Sequence, residues 1–437
     1  MNPELLTIPL ALLAAAGCAA GTAYWAVVWW RLHRMLPRIP TVEDHAVPTP
    51  SESEAESRTG EDLVTVVVPA HNEARVIARC AEALLAQDHR SLEIVFVLDR
   101  CTDETAAILR RTVGDDPRVR ILENDRCPED WAGKCHAASL GAAVATGRWI
   151  VFTDADVRFA PHLVGAALRT AKARECGLLS LVGRLETGSW FERVLQPPAA
   201  VGLLRIFPLD RANRLHRPRA FANGQFMLFD RESYDAVGGH AAVKHDLLED
   251  LAFARRVNEA GIRLGVATAK DSMGVSMYPS FEAMRRGWRR IFIEACGRSA
   301  RRMRRYAIRT AGAALLPVAV VAAFGFAVHA SSVGDRLAAA GLAAVATSAV
   351  VVQTFALRRI YRSMAMPRAA VLWFSIGCLV VANELRRGAH HLESGRPVRW
   401  GGREYVLQSY GASTSTSPSS NATSDSPESP DRVAEHA

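Results

Sequence analysis

The chain has 437 residues, 49% hydrophobic and 22% charged, which excludes a disordered chain, a collagen-like repeat and a small secreted fold. The 53 Lys and Arg against 45 Asp and Glu give a net charge of +8, a balance that suits anionic lipid or nucleic acid. Mean hydropathy is +0.04, high for a soluble enzyme, and the apolar residues are bunched at the two ends.

The run from Leu5 to Trp30 is long and apolar enough to cross a hydrocarbon core of about 30 Å. A cleaved leader expects a basic start, whereas this chain opens Met-Asn-Pro-Glu and places Arg31, Arg34 and Arg38 after the run. The spacing therefore predicts a retained anchor over 1–35, oriented outside to inside. Residues 40–62, rich in Pro, Ser, Glu and Asp, read as an acidic linker.

Residues 63–280 alternate short β-branched runs with helical stretches. Strands are predicted at Leu63–Val68, Glu93–Leu98, Val119–Leu122 and Trp149–Thr153, with helices at Glu73–Gln87, Thr102–Val113 and Cys135–Ala145 between them. This alternation predicts an α/β fold: a single, doubly wound, mostly parallel sheet whose ligand sits beyond the carboxyl ends of the strands. Three polar clusters fall at those ends: His71-Asn72-Glu73, Asp99, and Asp154-Ala155-Asp156.

Asp154 and Asp156 flank one small residue directly after a strand, a pattern suited to a divalent cation and a diphosphate. Asp-x-Asp also caps helices and ends strands. Asp99, at its strand tip, is a candidate nucleotide contact, whereas Asp103 is better placed as a helix cap. Lys134 precedes a helix and could neutralise phosphate there. His240, after the turn glycines Gly238 and Gly239, could touch phosphate or acceptor, or be an ordinary loop histidine. Asp246, Glu249 and Asp250 are expected on one face at a helix start. Clustered carboxylates raise one another's pKa and suit a general base; simple complementation of the helix dipole is the alternative.

Over 281–305, Phe281, Met284, Trp288, Ile291, Phe292 and Ala295 recur at helical spacing with Arg285, Arg286, Arg289 and Arg290 between them. The pattern predicts a basic amphipathic helix on the anionic inner leaflet, or a core-facing helix with solvated arginines. Trp190–Leu209 is long and apolar for a loop; it reads as a segment dipping into the headgroups, or as buried helix. Further apolar runs at Thr310–His329, Leu337–Leu357 and Ala369–Leu385 predict membrane helices over 310–388. Arginines before the first run and between the second and third place the middle of the chain in the cytoplasm. A third full crossing would put Arg386, Arg387, Arg396, Arg399 and Arg403 outside, against that rule, and Glu384 weakens the last run. Residues 411–437, rich in Ser and Thr, read as a disordered tail. Eight cysteines with no CxxC pair disfavour zinc and a disulfide framework and fit a reducing compartment. The arginines cluster beside spans, without an aromatic platform for stacked bases, so no nucleic-acid partner is expected.

Five segments in order resemble the family 2 glycosyltransferases. They are Val67-Val68-Pro69-Ala70-His71-Asn72-Glu73, Val97-Leu98-Asp99-Arg100-Cys101-Thr102-Asp103, Trp131-Ala132-Gly133-Lys134, Thr153-Asp154-Ala155-Asp156, and Leu248-Glu249-Asp250 with Phe253 and Arg256. The resemblance covers roughly residues 63–300 and implies the A-type nucleotide-sugar-binding fold. It implies a nucleotide pocket lined by Pro69, Ala70, Asn72 and Glu73, with Asp99 on a uracil-type base and Lys134 nearby. It further implies Mg²⁺ or Mn²⁺ on Asp154 and Asp156, and Asp250 as the catalytic base. Glu249, His240 and Trp288 are the expected acceptor or phosphate contacts. One departure is Leu98, where the family often has an acid.

Finer likeness runs to bacterial enzymes glycosylating carotenoids (chlorobactene-type) and to hopanoid-associated relatives. It rests on Gly177-Leu178-Leu179-Ser180, Gly224-Gln225-Phe226-Met227, Tyr234 with Gly238-Gly239-His240, and Met277-Tyr278-Pro279-Ser280-Phe281 with Gly287-Trp288. The Gln-x-x-Arg-Trp element of processive synthases is not matched, since Gly287 separates Arg286 from Trp288. The resemblance thus implies an inverting enzyme of the cell membrane, multi-pass, with a cytoplasmic catalytic domain. It would move one sugar, glucose, from a UDP-sugar to the hydroxyl of an isoprenoid lipid acceptor. Transfer to a polyprenyl phosphate or an exopolysaccharide, and a non-catalytic scaffold, are the competing readings.

Overall fold

The computed structural model describes residues 4–49, 62–214, 216, 218–400, 403–405 and 407. The expected tail at 411–437 and the second half of the expected linker lie outside these residues.

The strands are β1 (Val64–Ala70), β2 (Leu92–Asp99), β3 (Val119–Asn124), β4 (Trp149–Thr153), β5 (Val157–Phe159), β6 (Leu178–Leu185), β7 (Phe226–Asp230) and β8 (Leu264–Val275). They form one sheet in the order β3-β2-β1-β4-β7-β6-β8-β5. Only β7 and β5 run against the rest, so the sheet is mixed but mostly parallel. In β1 the residues Val64, Val66, Val67 and Val68 are fully buried, as expected of a strand covered on both faces. Helices Ile77–Leu85, Thr105–Val113 and Gly133–Val144 fill the crossovers. The helices begin later than the periodicity predicts at Glu73 and Thr102. Residues 72 and 100 adopt positive φ (57° and 50°), which holds the strand-end loops open before each helix starts.

Residues 40–46 do not behave as a free linker. Val42 is fully buried in the sheet core. The Thr268 N–H donates to Pro40 O at 2.9 Å, and the Asp271 N–H donates to Glu43 Oε1 at 3.1 Å. The chain leaving the first helix is thereby sewn to β8.

That first helix spans Glu4–Met35. It packs with the helices Leu316–Ser332 and Arg336–Ser363 into a three-helix bundle. Four helical stretches are long and apolar enough to cross a membrane: 7–38, 300–332, 336–363 and 368–394. The segment 300–332 is two helices, Ala300–Ala314 and Leu316–Ser332, because Pro317 removes a backbone donor at the junction. Arg301, Arg302, Arg304, Arg305 and Arg309 on the first half are exposed.

The helix Phe281–Ala295 corrects the inner-leaflet expectation. Its apolar face (Met284, Trp288, Phe292, Ala295) is buried inside the protein, in the core that also holds Val194, Leu195, Val381 and Leu385. Two of its arginines do not await lipid. Arg285 Nη2 and Arg289 Nη2 lie 2.6 and 2.7 Å from the two oxygens of Glu384, a residue only 1% exposed. Satisfying Glu384 within the protein, rather than in lipid, is what lets an acid sit in the last apolar run. Trp190–Ile206 is likewise a helix, mostly buried, opened by a Ser189–Glu192 capping box.

Candidate active site

The polar clusters converge at one rim of the sheet, but not all of their members are available for ligand. Asp154 follows β4, Lys134 sits in the first turn of the helix Gly133–Val144, and Glu249 and Asp250 open the helix Glu249–Glu259. Lys134 Nζ lies 2.6 Å from Asp154 Oδ1 and 2.6 Å from Glu249 Oε1. These two carboxylates hold the lysine firmly in its charged form despite its burial, which by itself would lower its pKa.

Asp250 is held by main-chain donors. The Gly224 N–H donates to Oδ2 at 2.8 Å and the Leu251 N–H to Oδ1 at 2.7 Å. Burial, and then the adjacent Glu249 charge, push its pKa up to about 7, against Lys134 and the two N–H donors. The value suits a group that must exchange a proton near neutral pH. A Cβ on Gly224 would lie 3.2 Å from Lys134 Nζ, 3.3 Å from Glu249 Oε1 and 3.4 Å from Asp250 Oδ2, so a side chain there would press these three groups apart by a few tenths of an ångström.

Behind Asp154, Asp156 is buried with Oδ1 lacking a hydrogen-bond partner among the described residues. Burial, then Asp154 and Glu73, raise its pKa well above the usual carboxylate range. Glu73 is pushed up to about 7 by burial and then by Asp154. An orphaned carboxylate oxygen among acids calls for a cation, and two carboxylates plus donor phosphates form the ligand set of Mg²⁺ or Mn²⁺.

The other expected contacts play more structural parts. Asp99 is 3% exposed, and its carboxylate is taken by Arg100 Nη2 at 2.6 Å and Asn124 Nδ2 at 2.7 Å. Asn72 Oδ1 accepts from the Thr102 N–H at 2.8 Å, tying the β1 loop to the β2 loop, while Pro69 and Ala70 end β1. Asp103 does act as a cap, accepting from the Thr105 N–H at 3.0 Å.

His240 is a correction: it is 1% exposed, with Nδ1 2.8 Å from the Tyr234 hydroxyl and the ring against Phe152 and Phe253. Burial drives its pKa down to about 3, so it is a neutral core residue rather than a phosphate contact. Glu249 is spent on Lys134. Asp246 precedes the helix Glu249–Glu259 instead of sharing its face, and pairs with Arg255 at 3.7 Å. Trp288 is buried, and its indole N–H has no partner among the described residues. The inserted Gly287 has a plain cause, since a Cβ there would meet the Tyr278 ring at 2.4 Å.

The acids open into a cavity of about 320 Å³. Lys134, Asp154, Glu249 and Asp250 line it together with the apolar side chains of Leu32, Leu36 and Ile360. No sequence signal joins Leu36 to Asp250, because more than two hundred residues separate them.

The site is thus a carboxylate-lined cleft at the strand ends of a mixed α/β sheet, in a chain that also carries helices long and apolar enough to cross a membrane. Residues 65–238 match the family model described as Glycosyl transferase family 2, and the chain carries a glycosyltransferase domain of that family. Among curated proteins it is similar to 4,4'-diaponeurosporenoate glycosyltransferase of Staphylococcus aureus strain MRSA252. Identity is 27% over 234 residues, covering 52% of this chain and 59% of that one. A glycosyltransferase of Streptococcus pneumoniae serotype 4 is 34% identical over 95 residues, 22% of this chain and 30% of the relative. Thus the match spans about three fifths of the first relative's length.

Among solved structures, a mannosyltransferase from Pyrobaculum calidifontis in complex with GDP-Man and Mn²⁺ aligns over 85% of this chain and 99% of that one. Its identity is 23% and its TM-score 0.45. A glucosyl-3-phosphoglycerate synthase from Mycobacterium tuberculosis with Mn²⁺ and UDP-glucose aligns over 57% and 85%, at 16% identity and TM-score 0.39.

Proposed function

We propose that this protein is an inverting glycosyltransferase that moves one sugar, glucose, from a UDP-sugar to the hydroxyl of an isoprenoid membrane lipid. The observation that carries the reading is the single cavity joining Asp250 to apolar side chains of the first helix and of the helix Arg336–Ser363. A water-soluble acceptor needs no such lining. The relative named for 4,4'-diaponeurosporenoate, a carotenoid-type substrate, supports the same acceptor class.

Asp250 takes the acceptor proton as the acceptor oxygen bonds to the anomeric carbon, and the bond from that carbon to the diphosphate oxygen breaks. The two N–H donors fix the carboxylate, so no reorientation is needed in the transition state. The charged Lys134 opposes negative charge gathering on the departing nucleoside diphosphate. Asp154 and Asp156 would hold Mg²⁺ or Mn²⁺, which supplies further neutralisation of that diphosphate. Glu73, Asn72, Pro69 and Ala70 would edge the nucleotide, with Asp99 reaching a base only if Arg100 and Asn124 release it.

In our reading three helices cross the cell membrane, and the catalytic domain is cytoplasmic. Arg31, Arg34 and Arg38 follow the first crossing, and Arg358, Arg359 and Arg362 end the third. The helix Phe374–Ser394 starts beside Trp25 and is tied to the helix Phe281–Ala295 through Glu384–Arg285 and to the helix Ala300–Ala314 through Glu393–Arg304. It follows the arginine-bounded loop 358–368 and ends beside Arg304, so in this reading both ends lie on the cytoplasmic side and the charge rule is kept for Arg386, Arg387 and Arg396.

A second reading, transfer to a polyprenyl phosphate, draws on Arg184 and Lys270. Both line the cavity, and neither has an ion-pair partner among the described residues. The test incubates membranes containing the protein with labelled UDP-glucose and a lipid extract, and identifies the product by mass spectrometry. A neutral glycolipid that vanishes with Asp154→Ala and Asp156→Ala is expected. A sugar phospholipid supports the second reading, and no lipid product rejects both.

A further inference from the structure

The cavity is also lined from the apolar helices, and the position of those lining residues relative to the bilayer is readable from charge. Leu36 lies just past the first helix, between Arg34 and Arg38; Met364 lies just past the helix Arg336–Ser363, two residues after Arg362. Both side chains are half-buried, pack on the bundle core and line the cavity. Arginines on either side of an apolar opening set it at the headgroup level of an anionic leaflet, where guanidinium groups snorkel to phosphate.

Between this opening and Asp250 the lining continues through Leu204, Phe207 and Phe221. The Phe207 and Phe221 rings are 5.4 Å apart, and Phe221 lies three residues before Gly224, whose N–H holds the carboxylate of Asp250. One cavity is thus lined both by side chains at the bilayer edge and by the base. Several elements build it, and the ordered 40–46 segment fixes the first helix against β8, so its shape is set by the fold.

We propose that Leu36 and Met364 are the two lips of a lateral portal through which a lipid acceptor enters from the inner leaflet hydroxyl first and tail last, its chain remaining between them while its hydroxyl reaches Asp250. This rests on the lipid-acceptor reading and adds to it a route and its specificity residues. Chain passage is governed at the lips, and the Phe207–Phe221 pair meets the part of the chain nearest the hydroxyl. Widening the lips admits thicker chains, and filling them excludes every membrane-resident chain.

The test uses the full chain in phosphatidylglycerol vesicles. A geranylgeraniol analogue with a photoactivatable diazirine at its tail is expected to label peptides covering residues 32–39 and 357–366. Leu36→Trp combined with Met364→Trp is expected to lower that labelling, and to lower sugar transfer to geranylgeraniol about tenfold or more, while UDP-glucose affinity stays within about twofold and shows the fold intact. Label appearing only elsewhere, or wild-type transfer by the double variant, overturns the portal. Portal labelling in a wild-type protein that transfers sugar to no lipid upholds the portal and overturns the lipid-hydroxyl reading instead.

Discussion

Lys134 Nζ and Glu249 Oε1 lie 2.6 Å apart although 115 positions separate the residues in the chain, and this contact joins the two helices that carry the candidate site. Glu249 is 3% exposed, so the pair is an internal brace, and its loss is felt by Asp154 and Asp250 alike. Truncating Lys134 leaves a buried carboxylate uncompensated. Lys134→Met is expected to destabilise the protein by about 3 kcal/mol, since broken buried pairs cost that order. Adding Glu249→Gln should restore part of the loss, a coupling that thermal unfolding in a double-mutant cycle measures. Additive losses would show that the two groups do not interact.

As the proposed base, Asp250 is expected to set the pH response. With its pKa near 7, the ionised base dominates above neutrality, so kcat/KM is expected to rise with pH through about 7 and then level. Asp250→Asn should lower turnover by about 10²–10⁴-fold with UDP-glucose binding kept, and should abolish that rising limb. A variant that keeps both turnover and limb removes Asp250 from the mechanism.

Gly224 sits where three charged groups of the site meet. Gly224→Ala places a methyl against Lys134, Glu249 and Asp250. The groups must then shift by a few tenths of an ångström. We expect kcat to drop by about tenfold or more with little change in KM for the donor, because small misplacement costs transition-state geometry more than binding. Steady-state kinetics with varied UDP-glucose separates the two.

Glu384 joins the last helix to the catalytic domain. Glu384→Ala strands Arg285 and Arg289 without their shared acid. A loss of about 3–5 kcal/mol is expected, read as a lower melting temperature in detergent. Glu384→Gln, which keeps a hydrogen-bond acceptor, should lose less.

Membrane sidedness gives an independent test. In a cysteine-free background, Gly334→Cys should react with an impermeant thiol reagent on intact cells. Ala365→Cys and Arg396→Cys should react only after permeabilisation. Surface labelling at 396 would mean that the helix Phe374–Ser394 crosses the bilayer.

Much of this was legible in the residues alone. Buried-strand valines at 64–68, the small residue between Asp154 and Asp156, and apolar runs bounded by arginines each express a local rule, so strands, strand-end acids and membrane helices could be read from pattern. Local pattern could not say which polar groups had partners. Glu249 looked available but is taken by Lys134, 115 positions away, and His240 is buried among Phe152 and Phe253 with Tyr234, six residues back, on its ring nitrogen. Arg285 and Arg289 looked lipid-facing, but they pair with Glu384, about a hundred residues on. Sequence thus determined the elements and the chemistry at their ends, since both follow from neighbours along the chain. Tertiary structure alone decided which acid remains free to accept a proton and where the cavity leads, because burial and pairing depend on residues that meet only when the chain has folded.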